Sequence, residues 1–357
     1  MERREFLKLG GMAAVSALFG HFPARAGTAD GGFFPSGRRV DLHAHAILPS
    51  YAEGLRRLGI DAAAEEGFPL PQWSVETHLA FMTDAGIDYS VLSMPTPHTY
   101  HGDAALAREV TRQVNEDYAA LCRAHPDKFG FVAALPLPDA EGAIEEITYA
   151  MDRLGALGVK VASNSGGVYL GDARFDSVFA ELDRRGALVI LHPSPARQLP
   201  RESVVTGGVM ALYEYPTDTT RAVLNLLANG TLEKFPRIRL VVPHCGSFLP
   251  YMKSRAGGMF KLLAAMGRMQ PVDLEAGLKN LWFDLAGDPT PDQMEMLLRI
   301  TDTDHIVYGS DYPYVLAPIL LKRKKALDID LARRGWADKI YAENAEKLLE
   351  TDWRKQR

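Results

Sequence analysis

From Val40 to Asp311 the chain alternates short apolar runs with longer helical periodicities, and this alternation constrains the fold more than any other feature. The strand-like runs are Val40–His45, Tyr89–Pro95, Phe129–Leu135, Val159–Asn164, Leu188–His192, Ile238–His244, Leu281–Leu285 and His305–Asp311. Between and after them lie the helical patterns Val75–Ala85, Ala104–Ala124, Ala140–Leu154, Phe175–Arg185, Ala222–Leu227, Met294–Arg299 and Ala337–Leu349. Near-continuous apolar runs indicate strands buried on both faces, hence a parallel sheet. Strand–helix repetition gives right-handed βαβ units, and eight such strands is the count of a closed (β/α)8 TIM barrel. A doubly wound open sheet has the same alternation and stays open as the alternative. The stretch Leu48–Trp73, between the first strand and its helix, reads as an insertion covering the barrel mouth.

With 357 residues the chain is long enough for two average domains, but a single α/β barrel of about 250 residues is equally ordinary. No low-complexity linker divides it, so residues 38–357 read as one catalytic domain. Ahead of it, Arg3-Arg4-Glu5-Phe6-Leu7-Lys8, an apolar stretch Leu9–Phe19 and Ala24-Arg25-Ala26 form the charged, apolar and small-x-small parts of an export signal over residues 1–26. The paired arginines resemble the twin-arginine type, which implies a periplasmic protein; residues 27–37 then form a linker. Glu2 departs from that pattern, and an amphipathic N-terminal helix is the alternative. A net charge of −5 gives no basic footprint for nucleic acid, and the apolar run is too short for a membrane span. Cys122 and Cys245 are too few for a disulfide framework.

Polar residues collect at one end of the strands. The first run ends Asp41-Leu42-His43-Ala44-His45, where residues two apart face the same side. The fifth ends in His192, the sixth in His244 and the eighth in Asp311. All five therefore lie at carboxyl ends of barrel strands, where the active sites of this fold are found. Imidazole nitrogen and carboxylate oxygen suit Zn, Mn, Fe or Co. Among the other histidines, His78 and His125 read as surface residues and His305 as structural. His98 and His101 sit on a loop after the second strand that overhangs the pocket, where a substrate contact and a solvated loop are both open. Cys245 reads as a small buried residue.

Asp41-Leu42-His43-Ala44-His45, Leu191-His192-Pro193, Val242-Pro243-His244-Cys245-Gly246 and Tyr308-Gly309-Ser310-Asp311-Tyr312-Pro313 resemble the amidohydrolase superfamily. Trp73-Ser74-Val75-Glu76, Tyr169-Leu170-Gly171-Asp172, Phe179-Ala180-Glu181-Leu182-Asp183 and Tyr215-Pro216-Thr217-Asp218-Thr219-Thr220-Arg221-Ala222 narrow the likeness. They resemble the aminocarboxymuconate-semialdehyde decarboxylase branch, nearest its 6-methylsalicylate decarboxylase-like members. The resemblance spans about residues 38–350. It implies that His43, His45, His192 and Asp311 hold one divalent ion, Zn or Mn, and that His244 is a catalytic residue beside it. The implied reaction is nonoxidative decarboxylation of an aromatic or conjugated acid. There the ion polarises substrate oxygens, and a proton reaches the carbon losing CO2 through Asp311 or through water assisted by His244. Ser247 stands where some relatives carry a Glu shortly after the strand-six histidine. His101 and Arg221 are candidate substrate contacts, and Arg197 is a further candidate for a second carboxylate. Trp73 and Tyr100 are loop aromatics suited to a flat ring. Family members are often homodimers, and the partner expected otherwise is a small carboxylic acid, with no nucleic acid and no membrane.

Lys160 keeps a rival open. In binuclear hydrolases of the superfamily a carboxylated lysine on strand four bridges two metals, and His192 and His244 would then serve the second. Such a site would hydrolyse an ester, lactone or phosphotriester. A periplasmic solute-binding protein is the non-enzyme alternative, but it would need two hinged lobes and a pocket without ligand residues.

Overall fold

The computed structural model describes residues 38–196 and 209–350; the residues read as an export signal and linker, and Arg197, lie outside the described residues. Eight strands build the core: β1 (Val40–His45), β2 (Tyr89–Ser93), β3 (Phe129–Phe131), β4 (Val159–Ala162), β5 (Leu188–His192), β6 (Arg239–Val242), β7 (Trp282–Asp284) and β8 (Ile306–Val307). Sequential neighbours pair in parallel, in the orders β1-β2-β3 and β4-β5-β6-β7-β8. Two seams turn these sheets into a ring. Ala133 bridges to Val159, with Ala133 N–H donating to Gly158 O at 3.0 Å and Lys160 N–H to Ala133 O at 2.8 Å. Ala44 bridges to Tyr312, with Leu42 N–H donating to Tyr308 O at 3.0 Å and His45 N–H to Tyr312 O at 2.8 Å. The sheet is therefore a closed (β/α)8 barrel, and the open-sheet alternative falls at these two seams.

Side-chain alternation divides the apolar residues between two layers. Val40, Leu42, Val91, Val132, Ile190, Val241 and Val307 fill the barrel interior, and Ala345 and Leu348 of the last helix pack with them. The intervening residues, among them Ala44, Leu92, Val189, Leu191 and Phe283, pack outward against the helices. On β5 this parity carries Leu188, Ile190 and then His192 inward. On β1 it would carry Val40, Leu42 and Ala44 inward and turn both histidines out. A bulge prevents this: Asp41 and Ala44 are three residues apart, but their partners Ser90 and Leu92 are only two apart. One extra residue reverses the parity, so that His43 and His45 face the interior. Asp41 stabilises the bulge, its Oδ1 accepting from His43 N–H at 3.1 Å and Ser310 N–H at 3.0 Å. Its full burial pushes the carboxyl up to about 6.

The helices Val75–Ala85 and Ala104–Ala124 begin and end where the periodicity predicts. Ser74 caps the first in a capping box with Thr77, and Gly86 ends it at φ 63°. That helix also corrects one expectation: His78 is fully buried, not a surface residue. It falls on the same helical face as Phe81, Met82 and Ala85, and its Nδ1 accepts from Trp73 Nε1–H at 2.9 Å. Trp73 is thereby committed to packing. Two long helices, Leu249–Ala265 and Ala317–Arg334, are absent from the periodicity reading. The first buries only Leu249 and Ala256, so it lacks the apolar face that periodicity detects. No helix among the described residues is long and apolar enough to cross a membrane.

Candidate metal centre

His43, His45, His192 and Asp311 converge at the carboxyl ends of β1, β5 and β8, and one donor atom from each lies within 4.8 Å of the other three. The second nitrogen of each imidazole orients its ring. His43 Nδ1 lies 2.8 Å from Asp284 Oδ2 and His192 Nδ1 3.2 Å from Pro193 O; both oxygens only accept, so Nδ1 carries the proton and the Nε2 lone pair faces the cluster. His45 Nδ1 lies 3.0 Å from Ser93 Oγ and 3.3 Å from Ser93 O, which hold its ring with Nε2 toward the cluster. Within the cluster His43 Nε2 and His45 Nε2 are buried with no hydrogen-bond partner. Orphaned buried lone pairs are costly, and a divalent cation among three imidazoles and a carboxylate satisfies them all. The donor set fits such an ion.

Backbone geometry aims the carboxylate. Asp311 sits at φ 61°, a left-handed conformation unfavourable for a non-glycine residue, pinned by its own N–H to His43 O at 2.8 Å and by Tyr314 N–H to its O at 3.0 Å. Its Oδ1 approaches His45 Nε2 at 3.3 Å and His43 Nε2 at 3.5 Å, while Oδ2 faces His244 Nε2 at 3.7 Å. Burial opposes its charge, but the His244, His45 and His43 imidazoles hold the carboxyl far below the usual range. His244, Cys245 and Ser247 also adopt left-handed φ, between 53° and 57°. This tight turn swings the His244 ring back over the barrel, 5.0 Å from that of His43.

Asp284, at the end of β7, is the residue that sequence reasoning missed. Its Oδ2 takes the His43 proton, and its Oδ1 accepts from His244 N–H at 2.9 Å and Ala286 N–H at 3.0 Å. One buried carboxylate thus orients a ligand histidine and the turn that presents His244. Burial works against its charge, and His43 overrides this to keep the carboxyl low. Burial likewise lowers His43, yet Asp284 and Asp311 outweigh it and raise the imidazole to about 8. His45 has Asp311 but no second carboxylate, and burial wins, lowering it to about 4; burial also takes His192 well below its ordinary value. The signal in the sequence is a single acidic residue within the otherwise apolar run Leu281–Leu285.

A cavity of about 580 Å³ opens above the cluster. His192, His244 and Asp311 form its polar floor, with Phe68, Tyr215 and Tyr314 among its walls. Phe68 comes from the insertion, as the barrel-mouth expectation requires. His101 is exposed and is not among the described residues that line the cavity. Arg221 is held by other partners. Its guanidinium donates to Asp218 Oδ1 at 2.6 Å and to Tyr169 Oη at 2.7 Å, outside the lining. Asp218 is buried and also receives Ser163, Asn164 and Tyr169. Since Ser163 Oγ accepts from Ser194 N–H, this network braces the loop that follows His192. Tyr100 also lies outside the lining. Lys160 is buried under the site with Nζ donating to Met94 O, and burial pulls it down to about 7. His98 Nε2 is buried without a partner, and Cys245 is buried with its thiol pushed up by burial.

Known proteins resemble the chain in sequence and in fold. A 6-methylsalicylic acid decarboxylase of Penicillium expansum is 30% identical over 279 residues, covering 77% of this chain and 85% of that one. A crystal structure of an amidohydrolase II superposes with a TM-score of 0.79 at 32% identity, over 88% of this chain and 100% of that one. The 5-carboxyvanillate decarboxylase of Novosphingobium aromaticivorans, solved with manganese and 4-hydroxy-3-methoxy-5-nitrobenzoic acid, shares the fold at a TM-score of 0.77 and 22% identity, over 88% and 97% of the two chains. The amidohydrolase family profile matches residues 40–351, nearly the whole described barrel, and the chain belongs to that family.

Proposed function

We propose that the protein is a metal-dependent nonoxidative decarboxylase of an aromatic carboxylic acid of the hydroxybenzoate or 6-methylsalicylate type. The observation that carries this reading is the cavity floor, where the donor cluster and a separate histidine, His244, share Asp311 between them. His43, His45, His192 and Asp311 would hold one divalent ion, Zn or Mn. Such an ion supplies Lewis-acid stabilisation of the charge that develops as CO2 leaves. The chain's own residues supply position and a proton. Asp311 divides its oxygens, Oδ1 toward the histidine cluster and Oδ2 toward His244 Nε2. A proton on His244 Nε2 passes by way of Asp311 Oδ2 to the ring carbon as the bond from that carbon to the carboxylate breaks; its electron pair stays on the ring, CO2 leaves, and the His244–Asp311 pair regains one proton from solvent. The aromatic walls Phe68, Tyr215 and Tyr314 hold a flat ring above this pair and exclude water.

The test is CO2 release from a panel of hydroxybenzoates by the metal-loaded enzyme. The reading expects turnover that a chelator abolishes; hydrolysis of lactones or phosphotriesters without any CO2 release contradicts it.

Two further parts of the proposal concern the protein's setting. A homodimer is supported by the helix Leu249–Ala265 and its end, where Tyr251, Met259, Leu262 and Met266 stand exposed along one stripe. A monomer by light scattering at micromolar concentration contradicts it. Export to the periplasm is supported by Arg3-Arg4 and the following apolar run; a folding-dependent reporter fused to residues 1–30 that stays cytoplasmic contradicts it.

A further inference from the structure

The cavity above the metal centre has two unlike walls. After β7 and β8 the described lining includes the charged side chains Asp292 and Arg323. After β5 and β6 the described lining carries no charge: Leu212 and Pro216 come from the first connection, Phe248 and Pro250 from the second. Leu212 is 56% exposed and Phe248 41%, so two large hydrocarbon side chains face solvent at the mouth of a site whose floor is polar. Exposed apolar surface gathered in this way marks a ligand-binding groove.

Two hydrogen bonds make this wall one unit. Phe248 N–H donates to Thr220 Oγ1 at 3.0 Å, and Thr220 Oγ1–H donates to Pro216 O at 2.7 Å. The turn after His244 is thereby tied to the start of the helix Glu214–Ala228. Tyr215, between Leu212 and Pro216, sets its ring 6.4 Å from that of His192, and its hydroxyl pairs with Thr96 Oγ1 at 3.2 Å. The apolar wall therefore stands over His192 and His244, beside the point where the proton is delivered. The cavity volume of about 580 Å³ is several times the ~150 Å³ that encloses a benzene ring. A single-ring acid with its carboxylate and hydroxyl leaves room along this wall for further carbon atoms.

We propose that the wall formed by Leu212, Pro216, Phe248 and Pro250 receives a hydrocarbon chain borne by the substrate on the ring carbon next to the one that loses CO2. This rests on the decarboxylase reading and deepens it: the preferred substrates are 2-hydroxybenzoates with an alkyl chain longer than a methyl group at position 6. Apolar contact is non-directional and grows with the area covered, so the wall selects by chain length.

The experiment compares 2-hydroxybenzoates bearing a methyl, propyl or pentyl group at position 6, with 2-hydroxy-4-pentylbenzoate as the positional control. Binding is read by calorimetry on metal-loaded His244→Ala protein, which consumes the acids only slowly, with and without Leu212→Ala or Phe248→Ala. CO2 release is read separately on wild type. A fully buried methylene, at about 0.8 kcal/mol, is worth about fourfold in affinity, so on a half-open wall the pentyl acid is expected to bind at least tenfold tighter than the methyl acid. Each added alanine substitution should remove most of that gain and leave the methyl acid nearly unchanged. The 4-pentyl isomer, whose chain points away from this wall, should show no such gain. Affinity independent of chain length, the result expected if a second copy of the protein covers this wall, overturns the assignment. So does an equal gain in the 4-pentyl isomer, or a gain undiminished in both alanine variants. Chain-dependent binding with no CO2 release from any of these acids keeps the subsite and refutes the reaction. CO2 release with no dependence of binding on chain length does the reverse.

Discussion

Replacing Asp284 by Asn separates the orientation of His43 from its burial. The carboxylate accepts His43 Nδ1–H at 2.8 Å through Oδ2 while Oδ1 takes His244 N–H and Ala286 N–H. An Asn that keeps the two backbone bonds on its carbonyl presents its NH2 to His43. Nδ1 must then accept, which moves the imidazole proton to Nε2, the atom aimed at the ion. The lost charge-assisted bond is worth about 1.5–3 kcal/mol, and loss of such a supporting partner lowers metal affinity by about 10- to 100-fold. The sign of the pH dependence follows from His43. In the metal-free wild type its value stands at about 8, burial having been outweighed by Asp284 and Asp311. Below that pH an incoming ion must displace a proton, and at pH 6 this weakens wild-type binding by about 100-fold, two units at about 1.4 kcal/mol each. Without the Asp284 charge burial dominates, His43 falls, and the variant escapes much of that competition. His45 at about 4 and His192 below its ordinary value do not titrate in this window. Competition against a chromophoric chelator from pH 6 to 9, with circular dichroism as the folding control, should show wild type about 10- to 100-fold tighter at pH 9. The gap should close toward pH 6. A ratio independent of pH, or wild-type affinity flat across the range, refutes the reasoning.

Other perturbations test neighbouring parts of the site. A Cβ at Gly309 would stand 2.6 Å from His43 Cβ and 3.2 Å from that of Asp284, so Gly309→Ala should destabilise by about 1–3 kcal/mol and lower metal content, read by thermal melting and elemental analysis. His244→Ala should retain the ion yet lose about 10²- to 10⁴-fold in kcat, the usual range for a positioned proton carrier; full turnover with full metal occupancy removes His244 from the mechanism. Asp218→Ala leaves Arg221 and three neutral donors without their buried acceptor and should cost about 3–5 kcal/mol. Arg221→Ala, at a half-exposed side chain, should cost under about 1 kcal/mol with KM unchanged, and a raised KM would return Arg221 to the substrate site.

Much of this site is legible in the sequence because ligand residues interrupt apolar runs. His43, His45, His192, His244 and Asp311 stand at or near the carboxyl ends of largely apolar runs, and barrel order brings those ends together. What sequence leaves hidden depends on departures from regular geometry. Alternation makes His43 and His45 share a side, but only the β1 bulge decides that the side is the interior. Asp284 ends its strand as an ordinary exit residue would, and its three hydrogen bonds come from β1, the β6 turn and its own loop. His78 shows the opposite failure: its spacing with Phe81, Met82 and Ala85 marked it as buried, and its polarity masked that signal.

The most direct measurement is divalent metal per chain, by elemental analysis of protein purified without added metal or chelator, on wild type and on His43→Ala, His45→Ala and Lys160→Met. The expected result is close to one equivalent in wild type and Lys160→Met, and loss in both histidine variants with the fold retained. Close to two equivalents, falling to one or none in Lys160→Met, would contradict a single-ion centre and return the site to binuclear hydrolysis.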